Sequence, residues 1–267
     1  GLVDSWLYAS QNDEVEVRQR ATKKATGIRR WLRYLDEIRV RRLQRQLLRL
    51  APHVTAITPT DADLLRQQSG RSVSVLTPGF TREPGRFDEL EQRPRAIVVV
   101  GSLTWEQKRT DLIEFLDTSA GSLALSEIDI EVAGRVTDDS LSLLRSRFPA
   151  VHFHGTVTSA RDAARLGRLA VVHEPRGGGF KMKVLDYIAA GTPILATGES
   201  LAGSGLEDGV HFLHLADMAN LSTNLTNLMD DTQRLEQIRE AALRFAEESW
   251  PWGDVCSILE SEREGLR

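Results

Sequence analysis

The sequence predicts an α/β protein in which the second half of the chain forms a Rossmann-like parallel sheet covered by helices. Short apolar runs in this half end at glycine, and the first of them is Ala96–Val100 before Gly101. Helical stretches of about ten residues separate the runs, and such alternation is typical of parallel sheets with helices on both faces. The chain has 267 residues, 41% of them hydrophobic, which is enough for one large domain or two small ones.

The first eighty residues predict a smaller domain that is rich in helix. Between residues 17 and 50 apolar side chains recur every three or four positions among arginines, which indicates one or two amphipathic helices with Gly27 as a break. A strand is expected at His53–Ile57, then a helix to about Gln68 with Thr60 or Asp61 as its N-cap, and a strand at Ser72–Leu76. Prolines and glycines between residues 77 and 95 indicate a linker.

The second half then repeats strand and helix. The predicted strands are Ala96–Val100, Ile128–Ala133, Val151–Phe153, Leu169–His173 and Pro193–Thr197. The predicted helices are 106–118, 138–148, 159–166, 180–190, a short one at 201–206, and a long one at 231–248. This pattern divides the chain into a first domain (1–80), a linker (81–95), a Rossmann-like domain (96–255) and a tail (256–267).

Composition and charge exclude several classes of protein. No apolar run approaches the roughly 18–20 residues that span a bilayer, and the composition is not that of a disordered or fibrous chain. The single cysteine, Cys256, and the lack of a signal-peptide pattern predict a cytoplasmic location. The net charge of −4 conceals a basic segment, because residues 18–49 hold twelve basic and two acidic side chains.

A glycine-rich loop at 175–183 is the strongest candidate site. The loops after parallel strands share one edge of the sheet, where ligands of such sheets bind. Three glycines allow close approach of the backbone, and the helix that follows favours a phosphate at its N-terminus. Arg176, Lys181 and Lys183 would add charge, and Asp186 could accept hydrogen bonds from sugar hydroxyls. The loop predicts a nucleotide-diphosphate site, and the alternative is a flexible glycine turn with solvated lysines.

Other chemical motifs are weaker. The residues after the first strand, Gly101-Ser102-Leu103, do not form the G-x-G-x-x-G dinucleotide fingerprint, and the sequence contains no P-loop. His152 and His154 are expected on a sheet face rather than on a metal ion. Ser204 lacks the flanking residues of a nucleophile elbow. The sequence therefore predicts no metal site.

Several segments match one family in the right order. They are Val100–Trp105, Gly155–Val157, the block Glu174–Pro193, Gly203–Leu213 and Ser249-Trp250. With these segments, the chain from Ala96 to about Val255 resembles the carboxyl-terminal, donor-binding domain of a GT-B fold glycosyltransferase of family 4 type, the glycosyl transferases group 1.

The resemblance implies transfer of a sugar from a nucleotide-diphospho-sugar to a glycan, lipid-linked or small-molecule acceptor. It also implies retention of anomeric configuration and no bound metal or other cofactor. Lys183 and Asp186 fall on positions that neutralise the diphosphate and bind the ribose. The implied donor-binding residues are Gly101, Ser102, Lys108, Arg176, Gly178, Gly179, Phe180, Lys181 and Lys183, with Asp186 for the ribose. No catalytic base is assigned.

The sequence also departs from the family pattern. Gly178 stands where many relatives have a glutamate, and Ser102 stands where they have an arginine, which leaves Lys108 or Arg109 as substitutes. The first eighty residues resemble only the second half of an acceptor domain. The chain is then a fragment, has a reduced acceptor domain, or needs a partner chain. A non-catalytic nucleotide-sugar-binding or scaffold subunit is therefore the alternative function. The related epimerases need acidic and histidine pairs that the sequence does not reveal.

The basic segment 18–49 has three interpretations. A helix with Trp31, Leu32, Leu35 and Leu43 on one side and arginines on the other could lie on an anionic membrane surface, which would suit extension of a lipid-linked glycan. It could instead be a solvated helix with leucines in the core. Nucleic-acid binding is not expected, because no recognised module or interleaved aromatic pattern is present.

Overall fold

Two parallel β-sheets form the framework of the described chain, one in each of two units. The computed structural model describes residues 6–10, 15, 18–19, 22–23, 25–82, 85, 87–175, 180–215, 221–253, 255–257 and 260. The smaller unit contains the described residues up to Gly79, together with Phe180 and those from Trp250 onward. The larger unit contains the described residues of 80–175 and 181–249.

The smaller unit is a three-stranded parallel sheet with helices. Its elements are β1 (Leu7–Ser10), α1 (Gly27–Leu50), β2 (His53–Ala56), α2 (Pro59–Ser69) and β3 (Ser74–Val75). The strand order is β1-β2-β3. Its core consists of apolar side chains from α1, α2 and the strands, among them Leu48, Val54 and Leu65. The sequence did not predict β1, which pairs with β2 from Leu7 to Ser10.

Helix α2 begins earlier than the sequence predicts. Thr58, rather than Thr60 or Asp61, is the N-cap, because its hydroxyl accepts a hydrogen bond from the Asp61 N–H at 3.0 Å. Pro59 then occupies the first helical position, where its fixed φ and missing N–H are favourable. The cap therefore lies before the proline, and the predicted caps lie inside the first turn.

Helix α1 does not bury the face that the apolar periodicity suggests. Trp31, Leu32 and Leu43 are 59%, 54% and 56% exposed. The buried residues of the helix are Glu37, Gln44 and Leu48. The amide of Gln44 bonds to Gln68 at 2.9 Å, which provides a polar partner for this buried side chain. The helix is therefore largely solvated, and of its leucines Leu48 is the one that is fully buried in the core of the smaller unit.

The larger unit has a six-stranded, all-parallel sheet. Its strands are β4 (Ala96–Val100), β5 (Asp129–Ala133), β6 (Val151–Gly155), β7 (Leu169–Val172), β8 (Ile194–Thr197) and β9 (Leu213–Leu215). Its helices are α3 (Glu106–Leu125), α4 (Asp138–Arg147), α5 (Ala160–Ala164), α6 (Lys183–Ala189), α7 (Leu221–Asp230) and α8 (Thr232–Ser249). The strand order is β6-β5-β4-β7-β8-β9, so the direction of the winding reverses between β4 and β7. This order confirms the predicted Rossmann-like sheet.

The strand β4 lies in the middle of the sheet and is buried along its whole length. Its sequence is rich in β-branched side chains, as a strand covered on both faces requires. Helix α3 packs on one face and continues to Leu125, beyond the predicted end at Thr118. Ala120 and Leu123 join the main core of this unit, and their burial extends the helix.

Four other elements differ from prediction. Residues 201–206 form turns and not a helix, because Gly203 and Gly205 adopt φ values of 80° and 83°. Helix α6 begins at Lys183 instead of residue 180. Strand β9 and helix α7, both unpredicted, complete the larger unit.

Much of the predicted linker, 81–95, packs on the larger unit. The Arg93 guanidinium donates to the Thr192 hydroxyl and to the Ala190 carbonyl, each at 2.8 Å, and the side chain is buried. Burial lowers the pKa of Arg93 to about 10. Phe87 lies so close to Gly191 that a Cβ there would come within 2.6 Å of the ring. These contacts hold the segment beside the loop after α6. Most of the predicted tail, 256–267, lies outside the described residues.

Candidate functional site

The loops after β4, β5 and β6 are hydrogen-bonded to one another at the carboxyl edge of the large sheet. The Gly101 N–H donates to the Ala133 carbonyl at 3.0 Å, and the Gly134 N–H donates to the Gly155 carbonyl at 2.8 Å. Gly134 has φ +145°, and a Cβ at this position would lie 1.8 Å from the Gly101 oxygen. A side chain at residue 134 would therefore displace the loop that follows β4.

A cleft opens beside this loop, where the sheet reverses its winding between β4 and β7. It is a narrow cleft with a cavity volume of about 20 Å³. Its polar and loop residues are Gly101, Lys108, His173, Glu174 and Lys183. In doubly wound sheets this crevice is the usual place for a ligand.

A buried ion pair lies in the cleft. The Lys183 Nζ is 2.6 Å from the Glu174 Oε1, and the two side chains are 13% and 9% exposed. Lys183 is the first residue of α6, and Glu174 follows β7. A Cβ added to Gly101 would lie 3.6 Å from the Lys183 Nζ, so the ammonium lies directly beside the loop after β4. The Glu174 N–H donates to the Ser200 hydroxyl at 3.0 Å.

The cleft concentrates positive charge around the Glu174 carboxylate. Burial alone would raise the pKa of Glu174, but Lys183 first and then Lys108 and Lys181 lower it, and the pKa lies below its usual value. Burial lowers the pKa of Lys183, although Glu174 opposes this effect. Glu174 is therefore an ionised carboxylate that faces three lysines.

Tyr187 fixes α6 against the central strand. Its hydroxyl accepts a hydrogen bond from the Val100 N–H at 2.8 Å, and the side chain is fully buried. In β4 only Ile97 and Val98 are paired with β7. At Val100 the N–H therefore has no partner on β7, and the Tyr187 hydroxyl accepts its hydrogen bond instead. Burial raises the pKa of the Tyr187 phenol. One turn of helix separates Tyr187 from Lys183, and the contact therefore positions the lysine.

His173 also lies in the cleft. Its Nδ1 is hydrogen-bonded to the Thr197 hydroxyl at 2.5 Å, and its ring packs at a tilt on Phe115 with a centroid distance of 5.4 Å. These contacts join the ends of β7 and β8 with helix α3 and hold the ring at the wall of the cleft.

The structure brings together part of the predicted donor set. Gly101, Lys108 and Lys183 line the cleft, and the charge of Lys181 acts on Glu174. Of the two substitutes for the missing arginine, Lys108 lines the cleft. Arg109, in the first turns of α3, instead donates to the carbonyl of Leu103 in the loop before the helix, at 2.9 Å.

The remaining predicted residues have other neighbours. The Ser102 hydroxyl is hydrogen-bonded to Thr104 at 2.9 Å. The Asp186 Oδ1 lies 3.6 Å from the Arg161 Nε, and burial raises the pKa of Asp186 while Arg161 opposes the rise. Phe180 packs edge-to-face on Trp250 in the smaller unit. Arg176, Gly178 and Gly179 lie outside the described residues.

Glu174, His173 and Tyr187 are cleft or supporting residues to which sequence reasoning gave no role. Glu174 directly precedes the proline of the glycine-rich loop, and a carboxylate beside so many cations was the available signal. Tyr187 carried no signal, because an apolar-looking position in a helix does not reveal a hydrogen bond to a residue 87 positions away.

The histidines of β6 form a separate polar cluster. His152 Nδ1 is 2.8 Å from Glu131 Oε1, and His154 bonds to the other carboxylate oxygen. No group of three or more histidine, cysteine, aspartate or glutamate side chains in the described ranges is arranged to hold a metal ion. No helix among the described residues is long and apolar enough to cross a membrane.

Comparison of the fold with solved structures gives consistent matches. Sucrose-phosphate synthase from Thermosynechococcus elongatus matches with a TM-score of 0.71 and 14% identity, over 98% of this chain and 68% of the other. Anabaena Alr3699/HepE in complex with UDP matches with a TM-score of 0.67 and 15% identity, over 98% and 72%. TarM matches with a TM-score of 0.64 and 12% identity, over 84% of this chain but only 46% of TarM.

The sequence itself matches one family model. No curated protein matches the chain. The model for glycosyl transferases group 1 matches residues 94–231, which is just over half of the 267 residues. This range contains the glycine loop after β4, the cleft and helix α6. The chain therefore belongs to the glycosyl transferases group 1 and has the fold of the GT-B glycosyltransferases.

Proposed function

We propose that the protein transfers a sugar from a nucleotide-diphospho-sugar to a glycan, lipid-linked or small-molecule acceptor, with retention of configuration. The observation that carries this proposal is the Lys183 ammonium beside the loop at Gly101, at the crevice of a doubly wound sheet, with Lys108 lining the same crevice and the charge of Lys181 acting on it. Family membership supports sugar transfer. Alr3699/HepE, which shares the fold, is described in complexes with UDP and with UDP-glucose.

In the proposed reaction the bond between the anomeric carbon and the diphosphate breaks, and negative charge develops on the departing nucleotide diphosphate. Cations that are already in place stabilise that charge without reorganisation, and such groups are typically worth about 10²–10³ in rate. Lys183 and Lys108 would serve this step beside the loop at Gly101. Asp186 would accept hydrogen bonds from the ribose hydroxyls in place of its contact with Arg161.

We propose no metal cofactor, because the three lysines supply the positive charge that a divalent cation would otherwise bring to the diphosphate. Transfer activity is then expected to persist in a chelator such as EDTA. Loss of activity in EDTA, with recovery on addition of Mg²⁺ or Mn²⁺, would contradict this part of the proposal.

A thermal-shift screen against nucleoside diphosphates and nucleotide sugars tests the donor site. A ligand at 100 times its Kd adds about 2.7 kcal/mol to the folded state, which is a shift of several degrees for a chain of this size. Lys183→Met is expected to abolish the shift and to lower transfer by about 100-fold or more. Lys23→Met removes an equal charge from an exposed site in the smaller unit and serves as the control.

The outcomes separate the two functions under consideration. Stabilisation by one nucleotide, with transfer that falls in Lys183→Met and in Asp186→Ala, supports the enzyme. Undiminished transfer in both variants would contradict the proposed site. Donor binding without turnover, with turnover restored by a second chain, would favour the non-catalytic binding subunit.

We further propose that helix α1 contacts the cytoplasmic surface of an anionic membrane, where a lipid-linked acceptor would be found. Trp31, Leu32 and Leu43 are exposed among arginines, and the segment 18–49 has ten more basic than acidic side chains. Apolar side chains would enter the interface while arginines pair with lipid phosphates. Sedimentation with anionic vesicles should deplete the protein, and a Leu32→Glu/Leu43→Glu variant should remain in the supernatant. Equal recovery with anionic and zwitterionic vesicles would contradict this proposal.

A further inference from the structure

The position of Glu174 is unusual for a site expected to bind an anion. Its carboxylate is 9% exposed and lies 2.6 Å from the Lys183 ammonium, at the carboxyl end of β7. It also faces the charges of Lys108 and Lys181. The cleft therefore contains a negative charge of its own, paired with the lysine that the proposed function assigns to a diphosphate.

The main chain holds this carboxylate in place. The Glu174 N–H is bonded to the Ser200 hydroxyl, and the same hydroxyl donates to the Thr197 carbonyl at 2.6 Å. The neighbouring His173 is bound to Thr197. Because β7 and β8 both anchor this segment, the main chain of Glu174 is fixed at the edge of the crevice, and its carboxylate stays within reach of Lys183. A bound diphosphate would share the lysines with it.

We propose that Glu174 is an internal competitor of the donor diphosphate. Glu174 pairs with Lys183 when the cleft is empty. When the donor binds, Lys183 pairs with the diphosphate instead, and the Glu174–Lys183 ion pair forms again as the nucleoside diphosphate product departs. This inference rests on the proposed function, and it assigns Glu174 the task of limiting product affinity.

The charges of substrate and product determine which of the two ligands Glu174 opposes more strongly. A nucleotide sugar carries two negative charges on its diphosphate, and a nucleoside diphosphate carries nearly three, because a terminal phosphate has a second pKa of about 6. Repulsion from a fixed carboxylate increases with the charge of the ligand. Glu174 therefore weakens binding of the product more than binding of the donor.

If Glu174 had a purely structural role, its removal would change the affinity for diphosphates in the opposite direction. If Glu174 only kept Lys183 charged and in position, its removal would weaken every diphosphate complex. If it competes, its removal leaves Lys183 without an anion in the empty cleft, and a diphosphate that supplies one binds more tightly. Removing one member of a buried ion pair also destabilises the empty protein, which a bound anion would relieve.

The test is titration calorimetry of the full chain with three probes, namely inorganic pyrophosphate, the nucleoside diphosphate found in the thermal-shift screen, and its nucleotide sugar. Glu174→Gln is expected to bind the nucleoside diphosphate at least about fivefold more tightly than the wild type, the lower end of typical coupling between sites. The gain for the nucleotide sugar should be smaller. Glu248→Gln removes an equal charge from an exposed position and should bind as the wild type does.

The variants also separate this inference from the proposed function. Unchanged or weaker binding in Glu174→Gln, while the wild type binds and Lys183→Met does not, overturns the inference alone. Absence of binding in both the wild type and Glu174→Gln overturns the proposed function and the inference with it. Binding that becomes detectable only in Glu174→Gln supports competition.

If Glu174→Gln fails to fold, Glu174→Asp provides the second measurement. It retains the charge but shortens the side chain by one methylene, which moves the carboxylate away from Lys183. Its affinity for pyrophosphate is expected to rise about twofold, below the value for the charge-free variant. An affinity at or below the wild-type value would contradict competition.

Discussion

Replacing Tyr187 with phenylalanine tests how the cleft is positioned. The ring is retained, so the packing of this fully buried side chain is preserved. Only the hydroxyl is lost, and with it the acceptor that lies 2.8 Å from the Val100 N–H. The paired register of β4 and β7 ends at Val98 and Ala170, so no strand carbonyl of β7 is paired with Val100 to replace it.

The cost follows from the burial of that N–H group. A buried donor left without a partner costs about 1–3 kcal/mol. We therefore expect Tyr187→Phe to lower the free energy of unfolding by about 2 kcal/mol. For a chain of this size, that corresponds to a fall in Tm of about 4–8 °C.

Differential scanning calorimetry, urea unfolding and amide hydrogen exchange provide the measurements. Because the chain has two units, the transition to follow is the one that a nucleoside diphosphate shifts. The Val100 amide should also exchange faster in the variant. Tyr34→Phe, which removes a hydroxyl from an exposed side chain of α1, is the control and should change Tm by less than about 1 °C. A Tm for Tyr187→Phe within 1 °C of wild type, with unchanged protection of Val100, would refute the reasoning.

Three further predictions concern the surroundings of the site. Gly134→Ala should abolish stabilisation by nucleoside diphosphates, because a Cβ would lie 1.8 Å from the Gly101 oxygen and displace that loop. His152 should titrate above 6.5, since the hydrogen bond to Glu131 raises its pKa. Its contribution to stability is then complete below pH 6.5 and is lost as the pH rises through the folded-state pKa, which NMR of the imidazole C–H protons can follow. Arg93→Met should cost about 3 kcal/mol in urea unfolding, because it leaves two buried acceptors unpaired.

A control variant or a contradicting result tests each of these three predictions. Gly121→Ala lies in helix α3 with nothing within 4 Å of the new Cβ, and it should leave nucleotide binding intact and add up to about 1 kcal/mol. If it impaired binding as Gly134→Ala does, the steric argument would fail. Glu131→Gln should lower the pKa of His152, and an unchanged titration would exclude the proposed cause. A free energy of unfolding for Arg93→Met within 0.5 kcal/mol of wild type would contradict the role of Arg93.

The prediction of the large sheet succeeded because its signals are local. Ala96–Val100 is apolar and β-branched without interruption, and the structure buries all five residues. The matching family model confirms the resemblance that rested on the block Glu174–Pro193. The strand Leu213–Leu215 and the helix Leu221–Asp230 were missed, because a three-residue strand and a ten-residue helix give little pattern to read.

The orientation of α1 shows the limit of periodicity. Leucines and Trp31 at helical spacing indicated an apolar face for a membrane surface or for a core, and the structure leaves Trp31 exposed and buries Glu37, Gln44 and Leu48. Which face of a helix is covered depends on the strands and helices against which it packs. In this case Gln68 of α2 provides the partner for Gln44, and the spacing of apolar residues contains no information about it.

The sequence by itself determined the fold class, the family, the glycine loops and the lysines near residue 180. Hydrophobic runs, glycines and charges act on their immediate neighbours, so these features can be read along the chain. Only the tertiary structure decided that Glu174 holds Lys183, that Lys108 lines the cleft while Arg109 does not, and that Tyr187 bonds to Val100. These contacts join residues at the ends of strands and helices that are distant in the sequence. The order of the strands in the sheet determines which residues meet, and no local sequence pattern contains that order.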